Sequence, residues 1–337
     1  MNCSSLKSID LSNGIGNIGD KVFLNCTSLE DITFPSYRFR SIGESCFENC
    51  YSLKKLFLPE SVTSIGSNLC RNAGVEEVVI PNCKTIGGQS HFIDCRNLTK
   101  ATISCEGPLP SYFFAGCTSL KHVSLNKVTE IGLGAFLACL ALESIALPGS
   151  VETIGIEAFH GCNKLEAINI PSSVTTIYLE AFRGCNALAT MTLPESVSSL
   201  SYRVFYECSS LKLLDFRACT KVTFDDPDER GTNTFLHFSG IPETTVVLLP
   251  GDVYPSEKEP YTVLSNNNTS LCGAAGSRGT GIYGKQSGTI PEKAPQQDHF
   301  PRTAGDMAIQ HLCRHGTHLL CATAYHCRDS AQGEGET

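Results

Sequence analysis

The residues with the most obvious chemical potential lie near the end of this 337-residue chain. The stretch HLCRHGTHLLCATAYHC mixes histidine and cysteine, two side chains that commonly bind zinc. Its candidate ligands are His311, Cys313, His315, His318, Cys321, His326 and Cys327. Their C-x7-C-x5-C spacing fits no usual paired-ligand knuckle, and no C-x-x-C pair accompanies it. We therefore predict no metal site and no cofactor, with zinc binding by this stretch as the alternative.

The same stretch raises the question of catalysis. Its segment HGTHLLCATAY resembles the histidine motif of subtilisin-like proteases, which would imply a general-base role for His315. That chemistry also needs an aspartate partner and a nucleophilic serine in a downstream Gly-Thr-Ser context. The ten residues after Cys327 contain no such serine. We therefore expect that the chain is not a protease, contains no catalytic residues and is not an enzyme.

A cysteine that recurs every 22 to 24 residues organises the rest of the chain. Each one lies three residues before an aliphatic residue, as Cys162 lies before Leu165. The series is Cys3, Cys26, Cys50, Cys95, Cys117, Cys139, Cys162, Cys185 and Cys208. One rung is missing, where Asn72 is predicted to hold the place of the cysteine ahead of Val75. A fixed period in the twenties is typical of a solenoid, in which each coil packs only on its neighbours.

Each coil follows a common internal pattern. Aliphatic residues such as Ile145 and Leu147 alternate with polar or small ones, which predicts a short strand, and Pro148 ends it. Ile-Gly usually follows, where glycine suits either a positive φ or close contact with a neighbouring coil. A segment too short for a free-standing helix completes the coil, and we predict one helical or 3₁₀ turn there. It carries Phe23, Phe47, Phe92, Phe114, Phe136, Phe159, Phe182 and Phe205, a predicted core ladder.

These residues also resemble a known family. The pattern C-x-x-L-x-x-[ILV]-x-[LIF]-P-x-S-V-x-x-I-G-x-x-A-F-x-G, nearly intact from Cys139 to Gly184, is similar to the BspA-like leucine-rich repeats. The resemblance implies a surface or secreted recognition protein, such as an adhesin, without catalytic residues. Two stretches depart from the pattern and are expected to be distorted. Ile65 to Leu69 is a residue short, and Ile103 to Phe114 lacks Val-x-x-Ile-Gly.

The predicted fold is an α/β repeat solenoid of the leucine-rich repeat type. It is expected to be a horseshoe with a parallel concave β-sheet and about ten coils of 22–24 residues. We assign residues 1–216 to BspA-like repeats and residues 217–264 to a degenerate coil and C-terminal cap. Residues 265–337 are rich in Gly, Ser, Asn and Pro, which predicts a low-complexity, disordered tail.

The eighteen cysteines have two interpretations. A buried small side chain repeated once per coil needs no oxidation, so we predict free thiols along the ladder. Five further cysteines lie off the ladder and could pair: Cys46, Cys70, Cys83, Cys105 and Cys219.

The outward side chains of the strands form the candidate binding surface, because alternate residues of a strand point to opposite faces. The side chains of this surface are small, polar and mixed in charge, and they form no aromatic ladder on which bases could stack. It favours a broad, shallow contact with a protein or glycan, and ordinary solvent exposure is the alternative interpretation. Phe57 beside Lys55 is the best candidate anchor. The candidate contacts are Lys55, Phe57, Glu77, Lys100, His122, Asn169, Thr190 and Thr192.

Charge and hydropathy narrow the possible partners. The formal net charge of −8 argues against nucleic-acid binding, and no apolar run is long enough to predict a transmembrane segment. Met1 leads directly into the first coil, with no signal peptide or polar cap. Either the protein is cytoplasmic, or the chain lacks its true N-terminus and is secreted or on the cell surface. The functional alternatives to a surface recognition module are an intracellular scaffold and the repeat region of a larger protein whose catalytic domain is missing.

Overall fold

The computed structural model describes residues 3–201, 203–219, 222–224, 241–242, 245–249 and 270–273, all within one compact unit, Met1–Lys285. The regular secondary structure of these residues consists of β-strands. In chain order the strands are β1 (Ser8–Asp10), β2 (Asn17–Ile18), β3 (Asp31–Thr33), β4 (Ser41–Ile42), β5 (Lys55–Phe57), β6 (Ser64–Ile65), β7 (Glu77–Cys83), β8 (Thr85–Ile86), β9 (Lys100–Leu109), β10 (His122–Ile131), β11 (Ser144–Ala146), β12 (Thr153–Ile154), β13 (Ala167–Asn169), β14 (Thr176–Ile177), β15 (Thr190–Thr192), β16 (Ser199–Leu200), β17 (Leu213–Asp215), β18 (Thr223–Phe224), β19 (Val246–Leu249) and β20 (Ser270–Gly273).

The chain forms a parallel β-solenoid. Most coils contribute a first strand of three residues, a corner, a second strand of two residues and a six-residue turn segment. The turn segment ends at the place of the recurring cysteine, here called the ladder position. Equivalent strands of neighbouring coils pair in register, so that Ile145 lies opposite Ile168 and Ile154 opposite Ile177. The described residues contain nine complete coils, numbered here from β1, and the strands β17 and β18 of a tenth. About ten coils were expected, and the described residues form about nine.

The turn segments are not helical, so the α/β assignment is wrong for the described residues. In coil 7 the amides of Glu157, Phe159 and Gly161 donate to carbonyls of coil 8 at 2.9, 2.7 and 2.7 Å. Only the amides between them close turns within the segment, as that of His160 does to the carbonyl of Glu157 at 3.0 Å. A helix requires every amide to bond back along its own chain. Left-handed φ angles at Glu157 (53°) and Gly161 (71°) also interrupt the helical conformation.

Each turn segment has two left-handed positions, and the second immediately precedes the ladder position. In the first three coils asparagine occupies it, and its side chains form their own ladder. The amide of Asn49 donates to Asn25 at 2.7 Å and that of Asn72 to Asn49 at 3.0 Å. Glycine takes this place in coils 5, 7 and 8, whereas Ala138 occupies it in coil 6 with φ 56°. These residue types suit the conformation because asparagine and glycine adopt it most readily.

The glycine of the Ile-Gly pair serves close contact, not positive φ. Gly66, Gly132 and Gly155 are all absent from the residues with positive φ. A Cβ on Gly155 would lie 2.7 Å from the carbonyl oxygen of Ile131, and one on Gly66 would lie 2.6 Å from the amide nitrogen of Glu44. The neighbouring coil therefore passes too close for a side chain at these positions.

Three consecutive coils have a shortened corner. Ser124 of β10 pairs with Ala146, and Glu130 of β10 pairs with Thr153. Six residues separate Ala146 from Thr153, but only five separate Ser124 from Glu130. The shorter corner keeps β10 continuous over ten residues, and β9 is equally long. The β9–β10 pairing contains register shifts. The expected distortion in Ile103 to Phe114 is thus confirmed as an irregular ladder.

Coil 3 corrects the assignment of Asn72. The amide of Phe47 donates to the carbonyl of Leu69 at 2.8 Å, and in the other coils this acceptor directly precedes the phenylalanine. Cys70 therefore takes the phenylalanine place, and Ala73 takes the ladder-cysteine place. The coil lacks a residue after Ala73 and not before Leu69, so the prediction for Asn72 is wrong. The second strand of this coil consequently keeps its register.

The phenylalanine ladder is confirmed. All eight predicted rings are buried, and in the later coils they stack almost in parallel. The centroids of Phe136 and Phe159 lie 5.1 Å apart with an interplanar angle of 1°, and those of Phe159 and Phe182 lie 5.3 Å apart at 1°. Offset stacking of this kind adds to the free energy of burial.

The ladder cysteines are hydrogen-bond donors as well as core residues. The thiol of Cys162 donates to the carbonyl of Phe136 at 3.2 Å, and that of Cys185 donates to Phe159 at 3.2 Å. The ladder cysteines from Cys26 to Cys208 are free and buried, whereas Cys3 is free and exposed. Burial raises the pKa of the Cys162 thiol to about 12, so it stays protonated and donates at neutral pH. Of the off-ladder cysteines that could have paired, Cys46, Cys70, Cys105 and Cys219 are also free thiols.

Candidate functional site

The strand face is the surface formed by the outward side chains of the first strands of the coils. On β5, β11, β13 and β15 the three residues alternate as exposed, buried and exposed. This alternation follows from the period of a strand whose middle residue enters the core. It places all eight candidate contact residues on the strand face, and only Glu77 is partly buried. Whether they bind a ligand stays a prediction.

Parallel pairing brings four of the candidates into one row. Lys55 lies opposite Glu77, Glu77 opposite Lys100, and Lys100 opposite His122. Asn169, Thr190 and Thr192 lie on later strands and do not belong to this group. The sequence indicated each residue separately, but only the register shows that these four are neighbours.

Charges alternate along this row. The ammonium nitrogen of Lys100 lies 2.7 Å from a carboxylate oxygen of Glu77, and this hydrogen bond lowers the pKa of the Glu77 carboxyl. The ammonium nitrogen of Lys55 lies 5.9 Å from the ring centroid of Phe57, within range of a cation–π contact. Phe57 is 47% exposed, which is unusual for a phenylalanine. The row thus offers an apolar anchor beside alternating charges.

A shallow depression of about 310 Å³ lies on the strand face between β9 and β11. Its lining includes Lys100, Lys121, His122, Ser144 and Ala146. The lysines and the imidazole of this lining can donate hydrogen bonds to carboxylate or hydroxyl oxygens. Lys121 was not among the candidates because it precedes the strand. Its place directly before the candidate His122 is the only sequence signal for it.

The depression lies where two kinds of pairing meet. Within the coils that follow, β11 and β13 pair at all three residues, but β10 and β11 pair at Ser124 and Ala146 alone. The irregular β10 therefore gives way to the regular first strands at this point.

The zinc alternative of the sequence analysis cannot be placed in the structure, because the histidine and cysteine stretch from His311 to Cys327 lies outside the described residues.

The sequence matches one protein family over most of its length. BspA type leucine-rich repeat regions match in six copies, over residues 1–99 and 84–212. A search of curated proteins found no match.

Similar solved structures are also repeat proteins. A leucine-rich repeat protein from Bacteroides ovatus is 21% identical, with 81% of this chain and 85% of that chain covered and a TM-score of 0.41. A leucine-rich cell surface protein from Faecalibacterium prausnitzii is 22% identical, with coverages of 80% and 88% and a TM-score of 0.41. A leucine-rich repeat protein from T. pallidum is 27% identical, with coverages of 44% and 78% and a TM-score of 0.40.

A search of the described residues found no helix with the length and hydropathy of a membrane span. Six repeat matches, the recurring ladder of phenylalanines and thiols, and the parallel stacking of coils all agree. The chain belongs to the family of BspA-type leucine-rich repeat proteins.

Proposed function

We propose that this protein is a non-catalytic recognition module of the cell surface that binds a protein or glycan through its strand face. The observation that carries the proposal is the in-register row from Lys55 to His122, which leads into the depression at Ser144. Exposed aromatic and basic side chains on a rigid sheet suit an interface anchor. A broad strand face with a shallow depression suits a macromolecular ligand better than a small molecule.

Binding assays on single-residue variants test the surface. The probes are immobilised extracellular-matrix proteins and a glycan array, with the full chain in solution. Ser144→Arg introduces a large side chain into the depression, and we expect it to weaken any binding at least tenfold. Ser172→Arg is the matched control, because Ser172 is exposed at a corner outside the strand face. Equal binding by the two variants would place the contact elsewhere.

The intracellular scaffold is the second candidate function, and the free ladder thiols favour it. The buried thiols stay protonated in either compartment, however, so they do not decide between the two. Surface biotinylation of intact source cells does, with an antibody against residues 217–264 as the detector. Labelling before lysis would support the surface protein, and labelling only after lysis would support the scaffold.

A further inference from the structure

One histidine and two glutamates converge on the turn segments of coils 7 and 8, outside the strand face. Glu157 and His160 belong to coil 7, and Glu180 belongs to coil 8. One ligand atom from each residue lies within 4.8 Å of the other two. The glutamates meet because they hold equivalent left-handed positions, with φ 53° and 54°, in coils that stack directly on one another.

Two polar atoms of this cluster are buried without a hydrogen-bond partner among the described residues. Glu157 is only 6% exposed, and its Oε2 has no hydrogen-bond partner among the described residues. The Nδ1 atom of His160 is likewise buried without a partner, 3.9 Å from that oxygen. A buried carboxylate oxygen without a donor is costly, which points to a ligand at this position.

The surrounding charges leave a negative centre at Glu157. Glu180 pairs with Arg183 at 2.9 Å and with Arg203 at 3.7 Å, and Arg183 also contacts Glu207 at 3.2 Å. The two guanidinium charges are therefore matched by Glu180 and Glu207. Among the ion pairs of the described residues, Glu157 takes part only in the contact with the imidazole of His160. A cation is the ligand that this arrangement favours.

The donor atoms select the kind of cation. One imidazole nitrogen with two carboxylate oxygens suits Zn²⁺, which often takes three protein ligands and keeps a fourth position for water. Ca²⁺ and Mg²⁺ prefer six or more oxygen ligands. Tetrahedral ligand atoms around zinc lie about 3.3 Å apart, so side-chain rotation must shorten the 3.9 Å between Glu157 and His160 and the separations of up to 4.8 Å within the cluster. Arg183 can hold the second oxygen of Glu180, as outer-shell groups commonly do.

We propose that Glu157, His160 and Glu180 bind one Zn²⁺ ion that links coil 7 to coil 8. The ligands come together only when both coils are folded, so bound zinc stabilises the stacked state. None of its three ligands belongs to the strand face or to the histidine and cysteine stretch near the C-terminus.

Thermal melting of the full chain tests the proposal. After treatment with EDTA and its removal, Zn²⁺ is expected to raise the melting temperature of the wild type. His160→Arg should abolish this rise and keep the fold, because Arg183 occupies the equivalent place in coil 8. Glu157→Gln should weaken Zn²⁺ binding at least tenfold by calorimetry and decides the matter if His160→Arg fails to fold. Glu152→Gln, an exposed carboxylate in the same coil, is the matched control and should behave as the wild type.

Cobalt distinguishes this site from the C-terminal cysteines. Co²⁺ bound by nitrogen and oxygen ligands should give visible absorption without the thiolate charge-transfer band that cysteine ligands produce. The proposal is overturned if Zn²⁺ leaves the wild-type melting temperature unchanged, or if His160→Arg or Glu157→Gln responds as strongly as the wild type. If acidification in EDTA raised the melting temperature and Zn²⁺ had no effect, the cluster would be a Glu157–His160 ion pair and not a metal site.

Discussion

The bridged region, Glu77–Ile131, and the regular region, Ser144–Leu200, build the same coil in two ways. In the regular region a six-residue corner separates two short strands, whereas in the bridged region β9 and β10 each run through a five-residue corner as one strand. The interplanar angles of the stacked phenylalanine rings also differ between the two regions. Phe159 and Phe182 stack at 1°, but Phe92 and Phe114 lie at 26° and Phe114 and Phe136 at 31°.

The thiol ladder continues through both regions. Cys117 donates to the carbonyl of Phe92 at 3.0 Å in the bridged region, much as Cys185 donates to that of Phe159 at 3.2 Å in the regular one. One residue more or less in a corner therefore changes strand length and ring angle without changing the contact that joins successive turn segments. The comparison shows that the turn segments and their ladder maintain the repeat, while the corners are free to vary.

The largest expected effect tests the regular region. Phe182→Ala removes a fully buried ring from a stack of parallel rings and should lower the free energy of unfolding by about 3–5 kcal/mol. Thr192→Ala, on the exposed strand face, is the control and should change it by less than about 0.5 kcal/mol. Chemical denaturation followed by circular dichroism measures both. A neutral Phe182→Ala would show that ring stacking does not distinguish the two regions.

The next effect belongs to the bridged region, where His91 is fully buried and stacks on Phe113 at 5.1 Å. Burial lowers the pKa of His91 to about 4, from an ordinary value of 6.5. Between these pH values the unfolded chain binds the proton and the folded chain does not. His91 should therefore cost about 3 kcal/mol of stability as the pH falls from 6.5 to 4.

His91→Leu should remove this loss, because Leu69 fills the equivalent place in coil 3. The free energy of unfolding of both proteins, measured from pH 7 to pH 4, gives the difference directly. Parallel pH profiles for the wild type and His91→Leu would contradict a buried neutral imidazole in the bridged region.

The smallest effect lies at the boundary of the two regions. Ala138 holds a left-handed position, φ 56°, at which Gly116 and Gly161 stand in the coils before and after it. Ala138→Gly relieves this strain and should raise the free energy of unfolding by about 0.5–1 kcal/mol, after the entropic cost of glycine is subtracted. The control Ala158→Gly has no positive φ to relieve and should destabilise the protein. Equal effects of the two variants would show that turn strain is absent at the boundary.

Much of the fold could be predicted because the repeat averages over many coils. The period identified Phe159 and Cys162 as core residues, and the structure buries both. Single exceptions were harder to interpret. Asn72 was misplaced because coil 3 lacks a residue after Ala73, and spacing alone cannot say where in a coil a deletion falls.

The candidate site was also predictable only in part. Alternation along each strand sufficed to place Lys55, Lys100 and His122 on an exposed face. The depression beside them depends on where β10 changes its pairing partner, which the strand pattern does not reveal. The first left-handed position of each turn segment carried a usable signal that sequence reasoning missed, namely the repeated Glu-Ala-Phe of coils 7 and 8.

The sequence by itself determined the solenoid, the family and the residues of the core, because burial in a repeat follows from the spacing of apolar side chains along one chain. Only the tertiary structure decided that the turn segments are not helices, since alternate amides bond to the next coil instead of their own. It also brought Glu157 and His160 to Glu180, twenty or more residues away in the chain. Such contacts depend on the stacking of one coil on the next, and no local pattern of residues specifies that distance.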